Sequence, residues 1–552
     1  MNVVGVIQAD LETSPLGTAS RLSEDLCGVP VLTRTVRRAG AARRLDALVV
    51  VCPEEQHERV CALVETDGVE VRKFDGPDYV AAKAVRVARK WSIESWRGGM
   101  GNSCFFDEHT HPALCLTIAA QTGADAIVSI APSAPLIDPQ MIDDIVGHFE
   151  NESENTKLVF AQSPPGLSPA LFSPVLLEEI IKVGMSPGWV NSYRPDQPQR
   201  DMINVPACFR PPMAIQAASG RLTSDTRRGF ELLQRLTPGT QHSALSTQSS
   251  AGGSAGAICR ELMSIREREP APLPREVQVE LTTADQLSGT ILRPRGDVVG
   301  RRGPLDLDIL ARLLEDLCQY DDSLVVLGGF GEPLLHPDFE KALQLCREAN
   351  VFGLAVRTNG IAMNEEVAQA MCDNGVDVVQ VLLDANDAEG YRRMHGVDAW
   401  DEVTRNMEGL NQLRQSRTQV NPIIAASLTK SRETIGTMET FYDRWLSFSG
   451  WAVIEGYSHH AGLLEDRRVM SMAPPQRRPC RQLRERCTVL ADGCVVGCDQ
   501  DFQGRYVLGD LKRQSLTVIW QGNQMNALRQ AHRAGAYSLH PMCEKCDEWH
   551  RP

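Results

Sequence analysis

No stretch of the 552-residue sequence approaches the ~18 consecutive apolar residues of a membrane-spanning helix, so no membrane partner is expected. The opening, MNVVGVIQADLETSP, lacks a basic segment and reaches Asp10 after a short apolar run. It does not read as a secretory signal, and a cytoplasmic address follows as the expectation. A surplus of positive charge is also missing: 57 Lys and Arg stand against 71 Asp and Glu, a net −14. So acidic a chain is a poor electrostatic partner for nucleic acid or anionic lipid. Neither an internal repeat nor a heptad array is present. With 42% hydrophobic and 23% charged residues, disordered and collagen-like classes are excluded, and the length suits about three or four globular domains.

What the sequence does hold unevenly is cysteine. Six of its sixteen fall between Cys480 and Cys546, where an even spread would place about two. In a reducing compartment such a cluster points to metal rather than disulfides, while the scattered ten read as small buried hydrophobes.

Three segments separate on pattern, and the fold class they imply is α/β. Up to about residue 238, strand-like runs (NVVGVIQ, LDALVVVCP, DAIVSIAP) alternate with amphipathic stretches such as Val31 to Arg43, as in a Rossmann-like parallel sheet. The Ser/Gly/Ala-rich tract from Gly239 to Ala257 and the Pro-rich PAPLPR after it predict a flexible linker over 239–274. Residues 275–470 are again βα. Val277, Val279 and Leu281 alternate as on a half-buried strand, and Leu305, Ile309, Leu313 and Leu317 mark one helix face. Residues 471–552 are short, cysteine-rich and irregular.

In that tail, Cys543 and Cys546 form Cys-x2-Cys, with Cys480, Cys487, Cys494 and Cys498 upstream and a hairpin expected at Asp492-Gly493. The order of a leading cysteine, a DG turn, a cysteine after the second strand, Gly509-Asp510-Leu511, Ser515-Leu516, Ile519-Trp520 and a closing Cys-x2-Cys resembles the SPASM domain, an auxiliary iron–sulfur module. The resemblance implies one [4Fe-4S] cluster on Cys480, Cys498, Cys543 and Cys546, with Cys487 and Cys494 as spares. Spacing alone also admits a four-cysteine zinc site or unligated thiols.

The middle segment resembles a radical SAM core, a partial (β/α) barrel. Gly328-Gly329-Phe330-Gly331-Glu332-Pro333 looks like that family's glycine-rich motif, and Thr358-Asn359-Gly360 and Asp384 follow at later strand ends. This implies a vestigial S-adenosylmethionine site at Gly329, Gly331, Glu332 and Asn359. The family's cluster needs Cys-x3-Cys-x2-Cys after the first strand, and the corresponding positions here hold Asp285, Gly289 and Leu292. Without three thiolates, reductive cleavage of S-adenosylmethionine is not expected.

The first segment resembles sugar cytidylyltransferases and related nucleotidyltransferases through Gln8-Ala9, Leu16, Gly28-Val29-Pro30-Val31-Leu32 and ADAIVSIAPSAPLIDPQ. Yet Asp10, Pro15 and Ala19 replace the motif's cations, and Ser133 replaces its Mg2+-binding aspartate; Asp138 and Asp225 keep family positions. Mg2+ and CTP are therefore not expected as ligands. The whole layout resembles the spiro-SPASM proteins. The leading expectation is an iron–sulfur protein whose degenerate domains bind a ligand or a protein or peptide partner, with no catalytic residues assigned. Two alternatives stay open: a radical SAM-type enzyme modifying a peptide or small molecule with a partner's help, and a sugar nucleotidyltransferase of cell-envelope biosynthesis.

Overall fold

The computed structural model describes residues 1–64, 68–78, 80–98, 103–192, 201, 203–237, 255–287 and 289–551. They divide into two compact units, Met1–Glu269 and Pro270–Pro552.

The first unit is built on β1 (Val3–Gln8), β2 (Ala47–Cys52), β3 (Val69–Lys73), β4 (Ala126–Ile130), β5 (Leu158–Ala161), β6 (Ala170–Phe172) and β7 (Cys208–Phe209), in the order β3-β2-β1-β4-β6-β5-β7. β1 pairs in parallel with both β2 and β4, whereas β6 runs antiparallel to β4 and β5. Alternation along β1 feeds two cores: Val3 and Ile7 join one apolar layer, Val4 and Val6 the other. The helix Val31–Ala39, read from its amphipathic pattern, covers one face with Val31, Leu32 and Val36.

The linker expectation for 239–274 needs correcting in part. Residues 238–254 lie outside the described residues, but Ala255–Arg268 is a helix. Ile258, Cys259, Leu262 and Ile265 recur at helical spacing and are buried in the first unit's core. Asp138 fixes where this helix begins, accepting a hydrogen bond from the Ala255 N–H at 2.6 Å.

The second unit carries β8 (Glu276–Val279), β9 (Leu324–Leu327), β10 (Gly353–Thr358), β11 (Val378–Leu382), β12 (Ile423–Lys430) and β13 (Ala452–Gly456), all parallel and in sequential order. β14 (Arg486–Val489), β15 (Cys494–Val496) and β16 (Val507–Asp510) continue the same sheet beyond β8. β14 lies parallel to β8, and β14 and β15 form the hairpin expected at Asp492-Gly493, with Gly493 at φ 86°. Across the boundary expected near residue 470, barrel and tail share backbone hydrogen bonds and one core. Leu305, Ile309, Leu313 and Leu317 are all buried there, the last three on the helix Leu307–Leu317. Among the described residues no helix is long and apolar enough to cross a membrane.

Candidate metal centre and barrel mouth

Four of the six tail cysteines come together. Cys480 leads into the short helix Gln482–Glu485, Cys498 follows β15, Cys543 sits in the helix Pro541–Glu544 and Cys546 just beyond it. Local bonds set each one: Cys480 donates its N–H to His532 Nδ1 at 3.1 Å, and Cys543 donates its own to the His540 carbonyl at 2.8 Å. The guanidinium of Arg477 holds the Cys543 carbonyl and that of Glu544, the latter at 3.0 Å, and stacks 4.0 Å above the Tyr537 ring.

These thiols lie near enough for each to feel the others' charge. Burial pushes Cys543 up to about 11 and Cys546 to about 12, and it raises Cys480 and Cys498 as well. Repulsion from Cys480, Cys546 and Cys543 adds to the rise at Cys498. Backbone N–H groups work the other way: those of Gln482 and Leu483 favour the Cys480 thiolate, and that of Glu548 donates to Cys546 Sγ at 3.3 Å. Four half-buried sulfur donors, mutually repelling once ionised and supplied with N–H donors, suit a cationic metal centre. Among the described residues no three His, Cys, Asp or Glu side chains converge on a single ion.

The two spares lie elsewhere. Cys487 is on β14, 2% exposed and part of the hydrophobic core. Cys494 faces Asp492, Asp510 and Lys512 at the hairpin.

At the barrel mouth the sequence motifs are bonded to one another. Glu332 is fully buried, which pushes it up to about 7. Its Oε1 accepts from Thr358 Oγ1 at 2.6 Å and the Leu334 N–H at 3.2 Å, and its Oε2 from the Asn359 N–H at 2.7 Å. The Asn359 side-chain amide donates to Asp285 Oδ1 and Gln286 Oε1 at 3.1 and 3.0 Å. Gly331 is required by packing, since a Cβ there would stand 2.1 Å from the Thr282 carbonyl oxygen. A Cβ at Gly329, which has φ 141°, would lie 3.1 Å from Glu280 Cβ. Glu332 and Asn359 thus bond the ends of β8, β9 and β10 to one another, with Gly329 and Gly331 packed between them.

The loop expected to lack cluster cysteines is built into this arrangement. Asp285 is ion-paired with Arg295 at 3.1 Å, and Arg295 also donates to the Gly331 carbonyl at 2.7 Å. Gly289 packs on Gly396, 3.2 Å from where a Cβ would meet its Cα. Leu292 is buried against Met394 and Tyr457. Arg293 forms a hydrogen-bonded ion pair with Asp384, donates to Thr429 Oγ1 at 2.7 Å and lies 3.8 Å from Glu455, which Arg357 holds at 2.8 Å. Arg293 and Arg295 were not singled out from sequence. Their only signal is the pair of arginines in Leu292-Arg293-Pro294-Arg295, which says nothing of distant carboxylates.

In the first unit, Asp10, Pro15, Ser133 and Asp225 line one cleft at the carboxyl ends of β1 and β4. Asp138 does not: it caps the helix Pro139–Glu152 through the Gln140 and Met141 N–H groups at 2.8 and 3.2 Å.

Comparison with known proteins agrees with the second unit's geometry. Residues 293–431 match the radical SAM superfamily, and residues 480–547 match SPASM, an iron–sulfur cluster-binding domain. The chain carries a radical SAM domain and a SPASM domain. The radical SAM match begins at Arg293, directly after the loop that holds Asp285, Gly289 and Leu292. An uncharacterized protein of Treponema pallidum is 25% identical over 304 residues, 52% of this chain and 82% of the relative. Further curated relatives, among them GTP 3',8-cyclase of Pasteurella multocida (28% identical over 99 residues, 18% of this chain and 29% of the relative), are spanned over less than half of their own lengths. Among solved structures, Streptococcus suis SuiB bound to precursor peptide SuiA is 12% identical, with a TM-score of 0.40 over 53% of this chain and 75% of that one. A cytidylyltransferase from Leptospira borgpetersenii is 17% identical, with a TM-score of 0.32 over 48% of this chain and 94% of that one.

Proposed function

We propose that this radical SAM/SPASM protein holds one [4Fe-4S] cluster on Cys480, Cys498, Cys543 and Cys546 and does not itself cleave S-adenosylmethionine. One observation carries the proposal: four thiols are grouped in the SPASM domain, while the barrel positions that would need thiolates hold an ion-paired Asp285, a packed Gly289 and a buried Leu292. The match of residues 480–547 to an iron–sulfur cluster-binding domain favours a cluster over zinc. A bound cluster would supply one-electron transfer or a structural pin. The chain's own residues would shape that centre. His532 orients the Cys480 backbone, Arg477 anchors the loop that carries Cys543, and the Glu548 N–H donates to the Cys546 sulfur.

At the barrel mouth the same chain balances its charges internally. Asp285, Asp384 and Glu455 face Arg295, Arg293 and Arg357, and both oxygens of Glu332 are engaged. An incoming sulfonium amino acid would have to break these bonds before forming its own. The barrel is accordingly a scaffold for the cluster domain.

Anaerobic purification with iron, acid-labile sulfide and zinc analysis tests the proposal, on wild type and Cys543→Ala. Close to four irons and four sulfides per chain, as one cubane requires, and their loss in the variant are expected. Zinc in their place refutes the cluster assignment. Release of 5′-deoxyadenosine from S-adenosylmethionine under a strong reductant refutes the inactive barrel and favours a modifying enzyme.

A further inference from the structure

The helix Val31–Ala39 and the turn after it carry charge of one sign only. Five arginines and no acidic residue stand between Val31 and Leu45, where an even spread would place about two acids. Val31, Leu32, Val36 and Ala39 turn into the core, which leaves Arg34, Arg37 and Arg38 on the outer face, within about 100° of one another. Arg34 and Arg38 are half-buried; Arg37 and Arg43 are exposed.

Elsewhere in this unit arginines stand against carboxylates: Arg72 on Glu70 at 2.6 Å, Arg86 on Asp78 at 3.0 Å and Arg266 on Glu94 at 2.8 Å. Among the described residues Arg34, Arg37, Arg38 and Arg43 have no such partner. Arg34 Nη2 and Arg38 Nε donate to backbone carbonyls, of Leu26 at 2.8 Å and Ile137 at 2.7 Å, and Arg34 Nε is buried and unbonded. The carboxylates these two feel already serve the backbone. Asp25 accepts the Gly28 N–H at 2.8 Å, and Asp138 accepts those of Gln140, Met141 and Ala255. Burial lowers the pKa of Arg34 and Arg38; repulsion from Arg37 on the first, and from Arg34 on the second, lowers them further. The helix dipole favours cations in the last turn, which suits Arg37 and Arg38 but does not account for Arg34 or Arg43. Like charges that are partly desolvated and unpaired leave this face to be stabilised by an anion.

The face is separate from the cleft at the carboxyl ends of β1 and β4. The helix leads from the end of β1 back to the start of the parallel β2, so Arg37, Arg38 and Arg43 lie towards the opposite end of the sheet, and none of the four lines the cleft. Its shape selects the anion. Arg34 and Arg38 are about 6 Å apart along the helix axis, and Arg43 lies beyond the helix end. One small oxyanion does not meet all four. On an extended peptide, alternate side chains stand about 6.5–7 Å apart on one side, which matches the row. A long polyanion such as nucleic acid also meets the repulsion of a chain of net charge −14, whereas a short acidic segment touches the arginines alone. We propose that this arginine face docks an acidic peptide segment of a partner protein, extended along the helix with its carboxylates on Arg34, Arg37, Arg38 and Arg43.

Fluorescence anisotropy of a labelled eight-residue oligoglutamate, titrated with the full chain, tests this. Saturable binding that weakens as salt rises is expected, because exposed ion pairs are screened. Arg37→Gln and Arg43→Gln should each weaken it by about 3-fold, as the loss of one exposed ion pair does, and the double reversal Arg37→Glu/Arg43→Glu should abolish it. Melting midpoints of these variants should match wild type, since neither side chain bonds anything in the described chain. No binding by wild type, or wild-type binding by the double reversal, would overturn the proposal. So would an octathymidylate bound as tightly as oligoglutamate, or inorganic phosphate displacing the peptide at constant ionic strength, either of which marks a general anion site.

Discussion

Removing the positive charge of Arg295 should destabilise the barrel mouth far more than removing it together with the charge of Asp285. The pair is 3.1 Å apart, with side chains only 5 and 2% exposed, so water can replace neither partner. Arg295→Met strands a buried carboxylate, at a cost of about 3–5 kcal/mol for a broken buried pair. It also removes the donor to the Gly331 carbonyl, which must stay bonded because Gly331 is pressed against the Thr282 backbone. Asp285→Asn in the same chain cancels the stranded charge. Its amide oxygen can still accept from the Leu287 N–H and the Asn359 amide, the bonds that Asp285 makes now at 2.8 and 3.1 Å. The double variant should recover at least ~2 kcal/mol relative to the sum of the singles, a coupling expected for groups in direct contact. Native-state hydrogen exchange of β9 and β10 amides reads the unit's opening free energy without mixing in the first unit. Additive single and double effects, or an Arg295→Met cost below ~1 kcal/mol, would mean that the loop is not held by this pair.

Two further outcomes follow. Cys487→Ala and Cys494→Ser should retain the iron and sulfide content of wild type, whereas Cys498→Ser should lose most of both; iron analysis after anaerobic purification checks this, and loss in Cys494→Ser would return that residue to the ligand set. Glu332 binds its proton more tightly in the folded chain, about 7 against an ordinary 4.5, so its contribution makes the folded state less stable as pH rises through that window. Over the full window this amounts to roughly 3 kcal/mol, and Glu332→Gln should gain stability relative to wild type by that order between acid and neutral pH; a wild-type-to-variant difference that stays constant across urea titrations at several pH values refutes it.

Strands were legible wherever a local period carried the information. Val277, Val279 and Leu281 alternate and are buried, and Asp492-Gly493 turns the hairpin where its dipeptide said it would. The parallel pairing of β14 with β8 was not legible. Cys487 lies opposite Val277, some two hundred residues away, and no local pattern encodes so distant a partner. The helix Ala255–Arg268 was hidden differently: a Ser/Gly/Ala composition runs up to Ala257 and masked the buried spacing of Ile258, Leu262 and Ile265 beyond it. At the candidate sites the set Cys480, Cys498, Cys543 and Cys546 came from the resemblance to SPASM, since spacing alone left zinc and unligated thiols open. The roles of Arg293 and Arg295 depend on Asp384 and Asp285, whose positions only the folded barrel supplies.

The barrel mouth and the tail differ in how far the chain satisfies its own polar groups. At the barrel mouth Asp285, Asp384 and Glu455 each have an arginine, and Glu332 has three donors. A ligand there gains only what it can win beyond the bonds it displaces. In the tail, four half-buried thiols would repel one another once ionised, and Arg477 adds a single positive charge beside Cys480 and Cys543. One guanidinium cannot balance four thiolates, and the proposed cluster would supply the positive charge missing there.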